Sequence, residues 1–100
     1  MSIESTSAQP TVTQPAQASI TVYTTEPCSF CARVKALLQA RGFEFSEVNL
    51  SRDPDGRVEL ASRTGMMTFP QVTVGEYVIG GFNETLSAVQ SGQLDRLLAA

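Results

Sequence analysis

Ile20-Thr21-Val22-Tyr23-Thr24-Thr25-Glu26-Pro27-Cys28-Ser29-Phe30-Cys31 is the stretch on which the fold turns. Its first five residues are β-branched or aromatic, which predicts a strand. From Cys28 onward the apolar positions Cys31, Val34, Leu37 and Leu38 keep i, i+3, i+4 spacing, which predicts a helix through Arg41. Gly42 stands at C′, where helices commonly stop. A strand therefore runs into a helix, and the only two cysteines of the chain sit at the junction.

Working outward, Phe43 to Val48 alternates and predicts a second strand. Asp53 followed by Pro54 is a capping carboxylate and a proline at N1, so a helix runs through Val58, Leu60 and Ala61 to Thr64, with Gly65 as its stop. Gln71–Val74 and Tyr77–Ile79 read as strands joined by Gly75-Glu76, a two-residue loop with Gly first, as a type II′ turn requires. Asn83 is the expected cap of a helix carrying Leu86 and Val89. Gly92 breaks that helix, and Leu94, Leu97 and Leu98 mark a short last one. The order is β-α-β-α-β-β-α-α. The first β-α-β unit predicts a parallel pair and the closing hairpin an antiparallel one. The fold class is α/β, a four-stranded mixed sheet flanked by helices. Residues 1–18, rich in Ser, Thr, Gln and Pro, carry too little apolar surface to offset their ordering entropy and read as a disordered tail. The domain is 19–100.

Composition narrows the chemistry. The chain has 100 residues, enough for one small domain. Lys plus Arg number 7 against 10 Asp plus Glu, which argues against nucleic acid as a partner. No apolar run approaches the roughly 18 residues of a membrane span. The first residues lack the basic start and apolar centre of a secretory signal and the arginines of a mitochondrial one, so a cytoplasmic location is expected. There is no histidine, which excludes Ser-His-Asp and Cys-His nucleophile pairs and His-ligated metals within one chain. Cysteine, carboxylate, lysine and arginine remain.

Cys28 is placed at a helix N-terminus, where unpaired N–H groups and the helix dipole favour a thiolate. Such surroundings bring a thiol from about 8.5 into the 3.5–7.5 range. Cys31 lies one turn on, within reach of a disulfide but further inside the helix. Cys28 should attack and Cys31 resolve. Two ordinary core cysteines, or half of a zinc site completed elsewhere, are the competing readings. Two further features stand out. Thr68-Phe69-Pro70 precedes the third strand. It reads as a plain strand-start proline, or as a cis Phe69–Pro70 bond that exposes backbone for an added strand. Gly80-Gly81-Phe82-Asn83-Glu84 reads as a turn, or as a nest of N–H groups for a carboxylate.

Taken together, the Val22-Tyr23-Thr24 strand, Cys28-Ser29-Phe30-Cys31, Thr68-Phe69-Pro70 and Gly80-Gly81 resemble the glutaredoxin family of the thioredoxin superfamily, in order and spacing. The resemblance covers 19–98. Thioredoxin itself is disfavoured, because its motif is flanked by Trp and this chain has none. The resemblance implies a thioredoxin-like fold and a glutathione-dependent thiol–disulfide oxidoreductase, a monomer that reduces glutathione mixed disulfides and protein disulfides through Cys28 and Cys31. It implies that Pro70 is cis, beside the nucleophile. It implies that the Phe69 backbone pairs with glutathione's cysteinyl part, that the N–H groups of Phe82 and Asn83 hold its γ-glutamyl carboxylate with the Asn83 side chain assisting, that Thr68 and Gly81 also belong to the glutathione site, that Phe30 walls the groove, and that Arg57 meets the glycyl carboxylate. Family potentials lie at about −200 to −230 mV.

Three departures qualify this. The family commonly has Lys where this chain has Thr25, and Arg or Lys where it has Met67. Weaker glutathione binding, or a different small thiol, is then expected. A redoxin reduced by thioredoxin reductase is one alternative. Ser29 stands where Pro is common, similar to members that bridge a [2Fe–2S] cluster between two subunits through the first cysteine, here Cys28, and two glutathiones. A cluster carrier or sensor is the other alternative, and the only one that implies a dimer.

Overall fold

The computed structural model describes residues 18–99. The expectation of a disordered tail concerns residues that, apart from Ala18, lie outside that range. The elements are β1 (Ile20–Thr24), α1 (Ser29–Ala40), β2 (Phe45–Asn49), α2 (Pro54–Thr64), β3 (Gln71–Val74), β4 (Tyr77–Gly80), α3 (Phe82–Ser91) and α4 (Gln93–Ala99). The sheet order is β2-β1-β3-β4. β1 runs parallel to β2, from Ile20 beside Phe45 to Thr24 beside Asn49. It runs antiparallel to β3, from Ile20 beside Val74 to Tyr23 beside Gln71. β3 and β4 are antiparallel, with a bulge between Val72 and Thr73. The expected four-stranded mixed sheet is present.

Strand alternation divides the two faces. Ile20 and Val22 of β1 and Val72 and Val74 of β3 join Val34 and Leu38 of α1, Ala88 and Val89 of α3, and Leu94 of α4 in one buried cluster. Each large side chain fully buried there is worth about 1.5–3 kcal/mol. Gln71 and Thr73 point the other way. Gln71 shares a cavity with Arg57, Val58 and Ala61, so α2 covers that face, and it buries Leu60. Ala18 packs against the main cluster.

The helix ends follow the sequence closely. Asp53 caps α2, its Oδ1 accepting from Gly56 N at 2.9 Å, with Pro54 in the first turn and Gly65 at φ +76 as the stop. At the end of α1, Gly42 takes φ +79. Its N–H bonds Gln39 O, and Phe43 N–H bonds Leu38 O at 2.9 Å. That stop consumes Phe43, so β2 begins at Phe45, two residues later than the alternation suggests. Only Phe45 of β2 is even half-buried, because the strand lies at the sheet edge rather than between neighbours.

Candidate active site

Cys28 is the N-cap of α1, with extended backbone at φ −156 and ψ 102. Its Sγ accepts from Cys31 N at 3.1 Å. The two cysteines are joined in a disulfide, with Cα atoms 5.3 Å apart. Cys31 is buried and Cys28 half-exposed. This is the asymmetry that the helix position demanded: one sulfur reachable from solvent at the dipole's positive end, the other shielded within the first turn. The first turn of α1 carries no acidic residue. Glu26, two residues before Cys28, is bonded elsewhere: its Oε2 accepts from Asn49 Nδ2 at 3.0 Å.

The Thr68-Phe69-Pro70 loop comes directly against this turn. The Phe69–Pro70 peptide is cis, and so is Glu26–Pro27. Phe69 O lies 3.8 Å from Cys28 Sγ. Gln71 Nε2 donates to Met66 O at 3.0 Å and ties the loop to the start of β3. Thr68, Phe69 and Pro70 line a groove of about 160 Å³ together with Phe30 of α1 and with Gly81, Phe82 and Asn83 at the start of α3. Three stretches separated in sequence thus form one groove beside the cysteine pair.

The start of α3 differs from expectation. Asn83 is not the cap. Gly81 is, and Asn83 is the second residue of the helix. The cap has no side chain, and Glu84 supplies the missing contact by folding back: its Oε1 accepts from Gly81 N at 2.9 Å. Thr85 Oγ1 donates to Gly81 O at 2.8 Å. The first-turn N–H groups of Phe82 and Asn83 have no intrahelical acceptor and face the groove end of the helix. Glu84 lines the same groove, so a carboxylate already stands beside them. The Gly-x-x-Glu spacing was the available sequence signal for it.

Arg57 lies in a neighbouring groove that also reaches Phe69. Its Nη1 donates to Leu50 O and Ser51 O, which anchors the loop before α2. Arg33 is a cation near the cysteines to which the sequence alone assigns no role. Its guanidinium lies 5.1 Å from the Phe30 ring centroid and 4.9 Å from that of Phe82, with the two rings 6.0 Å apart. The i, i+3 spacing of Phe30 and Arg33 was visible; the second ring, from another helix, was not. On the other side of the disulfide, Lys35 Nζ lies 3.1 Å from both oxygens of Glu47, whose Oε2 also accepts from Thr24 Oγ1 at 2.8 Å. The Thr24 hydrogen bond, then Lys35, holds the Glu47 carboxyl below its ordinary value. Among the described residues no group of three or more His, Cys, Asp or Glu could hold a metal, and no helix is long and apolar enough to cross a membrane.

Comparison with known proteins agrees with this arrangement. The family profile described as Glutaredoxin matches residues 20–79. The chain is 40% identical over 81 residues to a glutaredoxin of Pseudomonas aeruginosa, covering 81% of this chain and 96% of the relative. It is 36% identical to glutaredoxin 3 of Escherichia coli, covering 81% and 98%. Among solved structures it superposes on glutaredoxin from Brucella melitensis with a TM-score of 0.71 at 38% identity, covering 84% and 91%. A buckwheat glutaredoxin–glutathione complex gives a TM-score of 0.72 at 28% identity, covering 82% and 77%. With a thioredoxin-like fold, and with a cysteine pair in the first turn of the helix that follows the central strand, the chain belongs to the glutaredoxin family and is a thiol–disulfide oxidoreductase.

Proposed function

We propose that the chain reduces glutathione mixed disulfides and protein disulfides, with glutathione as the reductant, in the cytoplasm. The observation that carries this is the position of Cys28 Sγ, between the Cys31 N–H and Phe69 O, at the side of a groove that ends on the N-terminus of α3. A peptide pairing with the Phe69 backbone brings its sulfur to Cys28. A carboxylate further along meets the Phe82 and Asn83 N–H groups, with the Asn83 side chain alongside. The buckwheat relative is a complex with glutathione, a tripeptide that carries a carboxylate on either side of its cysteine.

The exchange runs in two steps. The Cys28 thiolate attacks the glutathione sulfur of a mixed disulfide, forming Cys28–S–S–glutathione, and the substrate thiolate leaves and takes up a proton. A second glutathione thiolate attacks the glutathione sulfur of that intermediate, so that oxidised glutathione leaves and the Cys28 thiolate is restored. With a protein disulfide, Cys28 forms the mixed disulfide and Cys31 attacks Cys28 Sγ. The substrate leaves as a dithiol, and the enzyme is left with the Cys28–Cys31 bond of this structure. Phe30 and Phe82 wall the groove, and Arg57 offers the remainder of its guanidinium toward the glycyl end. Neither Thr25 nor Met67 supplies a cation there. A [2Fe–2S] cluster would take Cys28, released from Cys31, as this chain's single ligand, with glutathione thiolates and a second copy supplying the rest.

Turnover with glutathione and glutathione reductase, set against turnover with thioredoxin reductase, tests the reading. Glutathione should sustain the faster rate. A rate seen with thioredoxin reductase alone refutes the glutathione assignment. A brown, absorbing dimer on anaerobic purification with glutathione would move the role to cluster binding.

A further inference from the structure

A second groove adjoins Phe69 on the α2 side. It encloses about 260 Å³, lined largely by Val58, Ala61, Met66, Met67 and Phe69 above Gln71. Val58 is 70% exposed and Met67 84%, so folding leaves a patch of large apolar side chains in water. Beneath them Gln71 is 1% exposed. Its Oε1 has no hydrogen-bond partner among the described residues, although its Nε2 is bonded to Met66 O. A buried acceptor without a donor is costly, and such an atom marks a place where a donor is expected.

The groove is continuous with the reacting sulfur through one residue. Phe69 lines this groove and the one over α3 alike, and its carbonyl faces Cys28 Sγ at 3.8 Å. A chain paired with Phe69 advances about 3.3 Å per residue and sends successive side chains to opposite sides. With the segment before its cysteine directed to α3, the residue after the cysteine reaches the groove beside α2. In glutathione that residue is glycine, which has no side chain to place there. A polypeptide has one.

We propose that this groove is a specificity subsite for polypeptide disulfides. It takes the apolar side chain that follows the reacting cysteine, and the flexible methionine side chains move aside to let Gln71 Oε1 accept a main-chain N–H of the same segment. The proposal rests on the exchange role of Cys28 given above. A methionine at position 67 is then a gain of apolar surface for proteins as well as the loss of a cation for glutathione.

The test uses the prereduced full chain and three disulfides: hydroxyethyl disulfide, and the symmetrical disulfides of acetyl-Ala-Cys-Leu-amide and acetyl-Ala-Cys-Gly-amide. The Leu peptide should react about tenfold faster than the Gly peptide, the size expected when a hydrophobic pocket gains a side chain. In Val58→Ser that ratio should fall to about two or below. Equal rates for the two peptides, with hydroxyethyl disulfide reduced normally, overturn the subsite and leave the exchange reading standing. A ratio that Val58→Ser does not alter also overturns it. Failure to reduce any of the three overturns the exchange reading and this proposal with it. Equal rates together with a dimer that Met67→Ser disperses would assign the patch to a second copy instead.

Discussion

Phe69 O lies 3.8 Å from Cys28 Sγ, although 41 positions separate the two residues in the chain. The contact brings the half-buried Phe69 backbone, on which the proposed pairing with an extended substrate depends, against the sulfur that caps α1. Cys31, by contrast, is buried and gives its own N–H to that sulfur. Cys28 is therefore the one thiol a bound disulfide can meet. Cys28→Ser should reduce activity on every disulfide to background. Cys31→Ser should stay within about threefold of wild type on glutathione mixed disulfides, where a second glutathione resolves the intermediate, and should fail on protein disulfides. Steady-state turnover with each substrate class checks this. Equal loss in both variants on glutathione mixed disulfides would refute the two-step route.

Arg33 braces the groove. Its guanidinium stacks on Phe30 of α1 and Phe82 of α3, which both line the groove at the start of α3. Exposed cation–π contacts are worth about 0.5–1 kcal/mol each. Arg33→Met should raise KM for a glutathione mixed disulfide about fivefold, with kcat nearly constant, because the rings no longer hold their spacing. Arg33→Lys should recover most of the loss. A fall in kcat at unchanged KM would place Arg33 in a different role.

The architecture was legible because local signals and tertiary demands agree. Asp53-Pro54, Gly65 and Gly42 mark helix limits by backbone chemistry, and neither sheet nor site overrides them. The Phe43–Val48 alternation overran its strand because Phe43 is taken by the stop of α1, a bond pattern no periodicity displays. The contrast between a half-exposed Cys28 and a buried Cys31 followed from position in a helix alone. Asn83 misled because its residue type favours a cap, while Gly81 with Glu84 satisfies the same need by backbone shape and a returning carboxylate. Arg33 was hidden because its meaning depends on Phe82, which is distant in sequence.

Glu84 stands where a carboxylate ligand is expected to sit. Its Oε1 accepts from Gly81 N, and it lines the groove beside the Phe82 and Asn83 N–H groups. The like charge opposes a second carboxylate there. Glutamine keeps an oxygen for Gly81 N–H and removes the charge. Glu84→Gln should therefore lower KM for glutathione mixed disulfides about two- to fivefold, with the change shrinking as salt rises. A higher KM would mean that the carboxylate aids binding, through the cap or through the amine of the γ-glutamyl group.

Glu47 links the sheet edge to α1, and its contribution should depend on pH. Thr24 Oγ1 donates to it at 2.8 Å, and Lys35 Nζ lies 3.1 Å from both oxygens. These partners favour the ionised form, so the folded chain binds this proton less tightly than the unfolded chain. The stabilisation is then complete above the unfolded carboxyl value, about 4.3, and is lost as pH falls through the lower folded value. The Lys35–Glu47 pair is about one-third exposed, at 32% and 33%, so its worth is about 1 kcal/mol or less. Glu47→Gln leaves an acceptor for Thr24 but removes the charge. Its Tm should lie about 2–5 °C below wild type at pH 7, given about 4–8 °C per kcal/mol for a domain of this size. The gap should hold down to about pH 5 and close at more acid pH, as wild-type Glu47 takes up its proton. Equal Tm values at pH 7 would show that the pair contributes nothing. A gap that persists unchanged in acid would assign the loss to an altered hydrogen bond with Thr24 rather than to charge.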